Sequence, residues 1–204
     1  MDNGDETFTL DLSKLPVSDP MLLIPEGLPV SCLILNGCKE VSDISPLAGL
    51  PLHRLDIAGT RVSNLRPLVK SPLEYLNARN CPIKDLSPLH GRPLTSLVID
   101  GTEVRDLAPL KGALLKWLSA NNTLIEKLDA LEKTPSSALH IYNCPRLRHI
   151  TVLGTLPLEE LDLGECPQIA DFSPLLKCPN LQNLIIPKNC RDMQSAAAFQ
   201  SSKN

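Results

Sequence analysis

The chain has 204 residues, of which 43% are hydrophobic but only 3% aromatic, with 19 Pro, 10 Gly and 7 Cys. High aliphatic content with 21% charged residues excludes a disordered chain, and scarce Gly excludes collagen. A net charge of −3 argues against a nucleic-acid binder, which needs a basic stripe. Leu fills about one position in five, so the core must be aliphatic. No apolar run reaches the ~20 residues of a membrane span.

Taken in chain order, residues 1–8 (MDNGDETF) are acidic, lack a signal-peptide pattern and are expected to be disordered. Leu10, Leu12, Leu15 and Val17 suggest a degenerate first copy of a repeat. From Val30 the repeat is explicit. The segments starting at Leu52, Leu73 and Leu94 are each 21 residues long and align without gaps. Their shared pattern is L-x-x-L-x-[LIA]-x-x-[TC]-x-[VI]-x-[DN]-L-x-P-L. Further copies start at Val30, Leu115, near Ser136, at Leu158 and at Leu181. The expected organisation is a repeat domain over 9–187 with eight to nine coils of 21–23 residues. Residues 188–204 form a cap and tail, with one helical turn at Ala196–Phe199.

Positions are counted from the first residue of each copy. Positions 4 and 6 alternate with polar neighbours, the period of a short half-buried strand. Positions 9, 11, 14 and 17 fit neither a strand nor a long helix and must point inward as the chain returns. The phrase Asp43-Ile-Ser-Pro-Leu47, repeated at Asp85–Leu89, suits a short 3₁₀ or helical turn. Asp or Asn caps its free N–H groups, and Pro is tolerated in a first turn. One such coil cannot bury its own apolar side, but stacked coils close a continuous core.

The repeat resembles that of the leucine-rich repeat family. It is most similar to the short bacterial type found in internalins, which carry a comparable D-I-S-P-L phrase, and to repeat tails of bacterial serine/threonine kinases. It differs from internalins in its 21-residue core copies and in carrying Thr or Cys at position 9. The resemblance implies a strand-dominated α/β repeat solenoid, curved, with a parallel β-sheet on the concave face and short 3₁₀ or turn segments on the convex face. It also implies a protein partner held on that concave face.

No catalytic constellation stands out. Cys38, Cys81, Cys144 and Cys166 share position 9, without metal-ligand spacing. They read as small buried residues, although adjacent coils at ~4.8 Å spacing would also allow Cys144 and Cys166 to pair. The Gly-Thr pairs at Gly59 and Gly101 recur with the coil and read as loop geometry. The sequon Asn121-Asn122-Thr123 is discounted because Thr123 falls in an inward slot.

Strand positions 3, 5 and 7 should face outward and differ between copies. They contain the chain's one Trp and both its Tyr. The candidate partner-binding residues are Arg54, Asp56, Tyr75, Asn77, Arg79, Asp100, Trp117, Asn121, His140 and Tyr142. The expected function is therefore non-enzymatic protein binding by a monomer, with no cofactor, metal, nucleic acid or membrane span. The alternatives are a substrate-docking region of a larger enzyme, such as a bacterial kinase, or a surface adhesion module. The odd cysteine count and the absence of a signal-like segment favour the cytoplasm.

Overall fold

A computed structural model describes residues 7–19, 24 and 27–187. Residues 1–6 and 188–204, including the expected helical turn at Ala196–Phe199, lie outside the described residues. Among the described residues one parallel sheet has nine strands in sequential order. They are β1 (Phe8–Asp11), β2 (Val30–Ile34), β3 (Arg54–Asp56), β4 (Tyr75–Asn77), β5 (Ser96–Val98), β6 (Trp117–Ser119), β7 (Ala138–His140), β8 (Glu160–Asp162) and β9 (Asn183–Ile185). Each strand belongs to one coil, and coils 1 to 9 are numbered with their strands. β1 begins at Phe8, inside the stretch expected to be disordered.

Position 4 sets the register. Leu33, Leu55, Leu76, Leu97, Leu118, Leu139, Leu161 and Leu184 pair in one unbroken column. The backbone ladder extends beyond the short strands to position 8, as in Ile99 N–H to Ser119 O and Gly101 N–H to Asn121 O, both 2.8 Å. The inward slots at positions 6, 9, 11, 14 and 17 are buried from coil 2 through coil 8, those after position 9 falling one residue later in coils 2, 7 and 8. They form a single aliphatic core in which Phe172 is the one aromatic among the described residues.

Every coil must then turn out of the strand, and position 8 does this in the left-handed region. Lys14, Gly37, Gly59, Asn80, Gly101, Asn122, Asn143 and Glu165 all have φ between 54° and 75°. Gly and Asn tolerate that conformation best. The return stroke ends in a 3₁₀ turn, at Ser45–Leu47, Ser87–Leu89 and their equivalents, with Pro in its first two residues except in coils 6 and 7. Asp43, Asn64, Asp85, Asp106 and Asp171 each accept the backbone N–H two residues on, at 2.8–3.0 Å. The cap is thus an Asx turn just ahead of the 3₁₀ segment.

Position 9 has its own hydrogen-bond logic. The Thr60, Thr102 and Thr123 hydroxyls donate to the position 6 carbonyl of their own coil, at 2.7–2.8 Å. The Cys38, Cys81, Cys144 and Cys166 thiols donate to the position 6 carbonyl of the preceding coil, at 3.0–3.2 Å. A short buried donor is what this slot requires, and both residue types supply one. Coil 7 departs from the rule at position 1, where Ser136 replaces an aliphatic residue. Its hydroxyl donates to Leu115 O at 2.9 Å and lies 2.9 Å from the Thr134 hydroxyl.

Candidate partner-binding face

The sheet registers Cys32, Arg54, Tyr75, Ser96, Trp117, Ala138, Glu160 and Asn183 in one column at position 3. Tyr75 and Trp117 are therefore two coils apart, ~10 Å by strand spacing. The Arg54 guanidinium stacks over the Tyr75 ring at 4.2 Å from its centroid, a cation–π contact. Burial raises the Tyr75 hydroxyl pKa first, and the Asp56 carboxylate adds to that, while Arg54 opposes it. Beside this pair lies a shallow groove of about 420 Å³, lined by residues that include Cys32, His53, Arg54, Tyr75 and Ser96.

A second cluster lies in coils 6 to 8. The Trp117 and His140 rings meet edge to face, with centroids 6.0 Å apart at 72°. His140 Nε2 lies 3.7 Å from Glu160 Oε2. Tyr142 is 41% exposed, yet its ring rests on the next coil. A Cβ built on Gly164 would sit 3.0 Å from Tyr142 Cδ2, so the glycine forms the seat of the ring.

The polar candidates divide differently. Asp56 Oδ1 accepts the Ala58 N–H at 2.9 Å, and Oδ2 accepts from Asn77 Nδ2 at 3.0 Å. Asn77 Oδ1 accepts the Arg79 N–H. Asp100 is 8% exposed, and its Oδ1 accepts from the Ser119 hydroxyl at 2.6 Å and the Asn121 N–H at 2.9 Å. Asn121 in turn accepts the Tyr142 N–H. These four side chains brace one coil against the next. Positions 5 and 7 are also less open than simple alternation implies. Ala58, Val98, Asp100 and Ser119 are buried, because small or internally bonded side chains sink between larger neighbours.

The structure thus brings Arg54 with Tyr75, and Trp117 with His140 and Tyr142, onto one face, with Arg79 exposed between them. The sequence-level selection omitted Cys32 and Glu160. Both occupy the same position 3 column, which was the available signal. Of the six described cysteines none forms a disulfide. The Cys144 and Cys166 thiols are buried neighbours, and the Cys144 N–H donates to Cys166 Sγ at 3.4 Å. The contact between the two thiols lowers the Cys144 thiol to about 7 and raises that of Cys166, which burial raises further. No group of three or more possible metal ligands occurs among the described residues, and no helix there is long and apolar enough to cross a membrane.

The parallel sheet, the 3₁₀ returns and the fixed inward slots define the chain as a leucine-rich repeat protein. Its coils are internalin-like. The structure is similar to an internalin C2 from Listeria monocytogenes, with a TM-score of 0.70 and 27% identity over 77% of this chain and 72% of that one. It is also similar to an internalin F from the same organism, with a TM-score of 0.53 and 17% identity over 88% and 73% of the two chains. The functional domain of InlJ, again from Listeria monocytogenes, includes a cysteine ladder. It matches with a TM-score of 0.50 and 15% identity over 87% of this chain and 48% of its own. No protein-family profile and no curated protein matches the chain.

Proposed function

We propose that this chain is a non-enzymatic binding module that holds a protein partner on the concave face between Arg54 and Tyr142. One observation carries the reading. The chain's Trp and both its Tyr sit on that face, each held in place by a side chain or glycine of a neighbouring coil. Aromatic rings immobilised before binding lose little entropy on contact, and Trp, Tyr and Arg are the side chains that most often dominate interface energies. Repeat solenoids also offer extended concave surfaces of this shape.

Asp56, Asn77, Asp100 and Asn121 support the face from beneath, while Arg54, Tyr75, Arg79, Trp117, His140 and Tyr142 meet the partner. The test is the variant Y75A/W117A/Y142A, compared with the wild type for melting temperature and for capture of partners from source-cell lysate. The expected result is an unchanged melting transition with loss of the captured partner. Intact folding with unchanged capture overturns the proposal.

A further inference from the structure

The capping column, at position 13 and one residue later in coils 2, 7 and 8, is interrupted twice, in adjacent coils. Coils 2 to 5 and coil 8 carry Asp43, Asn64, Asp85, Asp106 and Asp171 there, each accepting the N–H two residues on. Coils 6 and 7 carry Lys127 and His149. Lys has no acceptor to give, so coil 6 forgoes a local stabilising bond that coils 2 to 5 and coil 8 keep. Local rules are most often broken at functional sites. A parallel β-bridge ties Lys127 to His149, so the two side chains leave adjacent, registered backbones.

The same two coils add cations around the break. Arg148 precedes His149, and Arg146 occupies a residue inserted after Cys144-Pro145. Lys127, Arg146, Arg148 and His149, together with Glu126, line an open cleft of about 380 Å³. Glu126 is the one carboxylate of that lining, and Arg146 already answers it at 3.5 Å. Lys127 and Arg148 form no ion pair among the described residues and have His149 beside them; Lys127 also borders a second hollow lined by Asp106, Asp129 and Glu132. Within the lining of the cleft itself the cations outnumber the one carboxylate.

We propose that this cleft binds a dianionic phosphate group, free or as a monoester. The two lining cations that Glu126 does not answer match the charge of about −1.5 to −2 that a phosphate monoester carries at pH 7. The Arg148 guanidinium supplies a fork of donors suited to phosphate oxygens, and Lys127 adds a point charge. A monocarboxylate would leave one cation unmatched. The cleft lies outside the sheet, ahead of the 3₁₀ turns, so the site is separate from the concave face and independent of its partner.

The test follows backbone amide NMR shifts of the intact chain at pH 7 during titration with sodium phosphate, against sodium chloride at matched ionic strength. Phosphate is expected to give saturating shifts confined to residues around Lys127, Arg148 and His149. The variant K127N/H149N puts at both positions the residue that caps its turn as Asn64. It should fold with an unchanged or higher melting temperature and bind phosphate at least fivefold more weakly. R148Q should weaken binding similarly. O-phosphoserine as the free amino acid separates the two sources: tighter binding than inorganic phosphate assigns an ester, and equal or weaker binding assigns the free anion. Linear, scattered shifts in the wild type, or unchanged affinity in folded K127N/H149N, overturn the proposal.

Discussion

At the scale of single residues, position 8 shows how one dihedral angle selects side chains. Eight successive coils need a left-handed residue there, and seven of them use Gly, Asn or Lys. Lys14, at φ 61°, and Glu165, at φ 55°, are the costly members. A left-handed non-Gly residue costs about 1–2 kcal/mol, against about 0.4–1 kcal/mol of unfolded-state entropy that Gly adds. Glu165→Gly is therefore expected to raise stability by about 0.5 kcal/mol, read from urea denaturation. Gly101→Ala should do the opposite, since its Cβ would run into Asn80 Oδ1 while φ stays at 66°. Thiol accessibility gives a second test. Cys32 is the one described cysteine that is not buried. Adding a thiol reagent to the native protein should modify Cys32 rapidly and Cys81 or Cys144 only on unfolding, so mass mapping that finds these buried thiols labelled early would contradict the packing.

At the scale of elements, the coil was legible in the sequence because its constraints are local. Leu at position 4, the Asp-x-Ser-Pro-Leu phrase and the Gly-Thr pairs each impose one geometry wherever they recur, and the structure repeats that geometry coil after coil. The concave face was only partly legible. Alternation predicts which way Asp100 and Val98 point, but their burial depends on cross-coil partners and the sizes of their neighbours, which spacing does not encode. Likewise Lys127 was readable as a missing Asp, but not as the wall of a cleft. The 3₁₀ caps carry a pH signature. In Asp43 the Ser45 hydroxyl and then its N–H hold the carboxyl below its ordinary value; in Asp85 the Ser87 N–H leads and the hydroxyl follows. Lowered carboxylate pKa values contribute stability that is present above the unfolded-state value near 4 and is lost as pH falls through the folded-state value. Urea midpoints measured from pH 7 down to pH 2 should fall over that acid range. Asp85→Ala should lower the pH 7 midpoint and reduce the acid-induced loss.

For the whole molecule, contacts run between neighbouring coils and the core has no centre, so position along the solenoid sets the cost of a defect. Leu97 has a coil on either side and is fully buried, whereas Leu184 in the last described strand is only partly buried. Leu97→Ala is expected to cost about 2–5 kcal/mol and Leu184→Ala clearly less, when both are compared in the same denaturation experiment. Equal losses would mean that the chain does not behave as a linear stack.

The alternation of Thr and Cys at position 9 also makes the joints between coils mechanically unequal. A Cys thiol reaches back to the preceding coil and fastens coil 2 to coil 1, 4 to 3, 7 to 6, and 8 to 7. A Thr hydroxyl donates within its own coil and makes no bond back to the preceding one; Thr60 and Thr123 instead meet the Cys thiol of the following coil. At the boundary of coils 5 and 6 the Asp100–Asn121 bond takes over on the concave side. The boundaries of coils 2 and 3 and of coils 4 and 5 have neither fastening, and the second falls between Tyr75 and Trp117. Joints without either fastening are the softer ones, and because one of them separates Tyr75 from Trp117, the spacing of the two aromatic clusters is a dimension the solenoid can adjust to the curvature of the proposed partner.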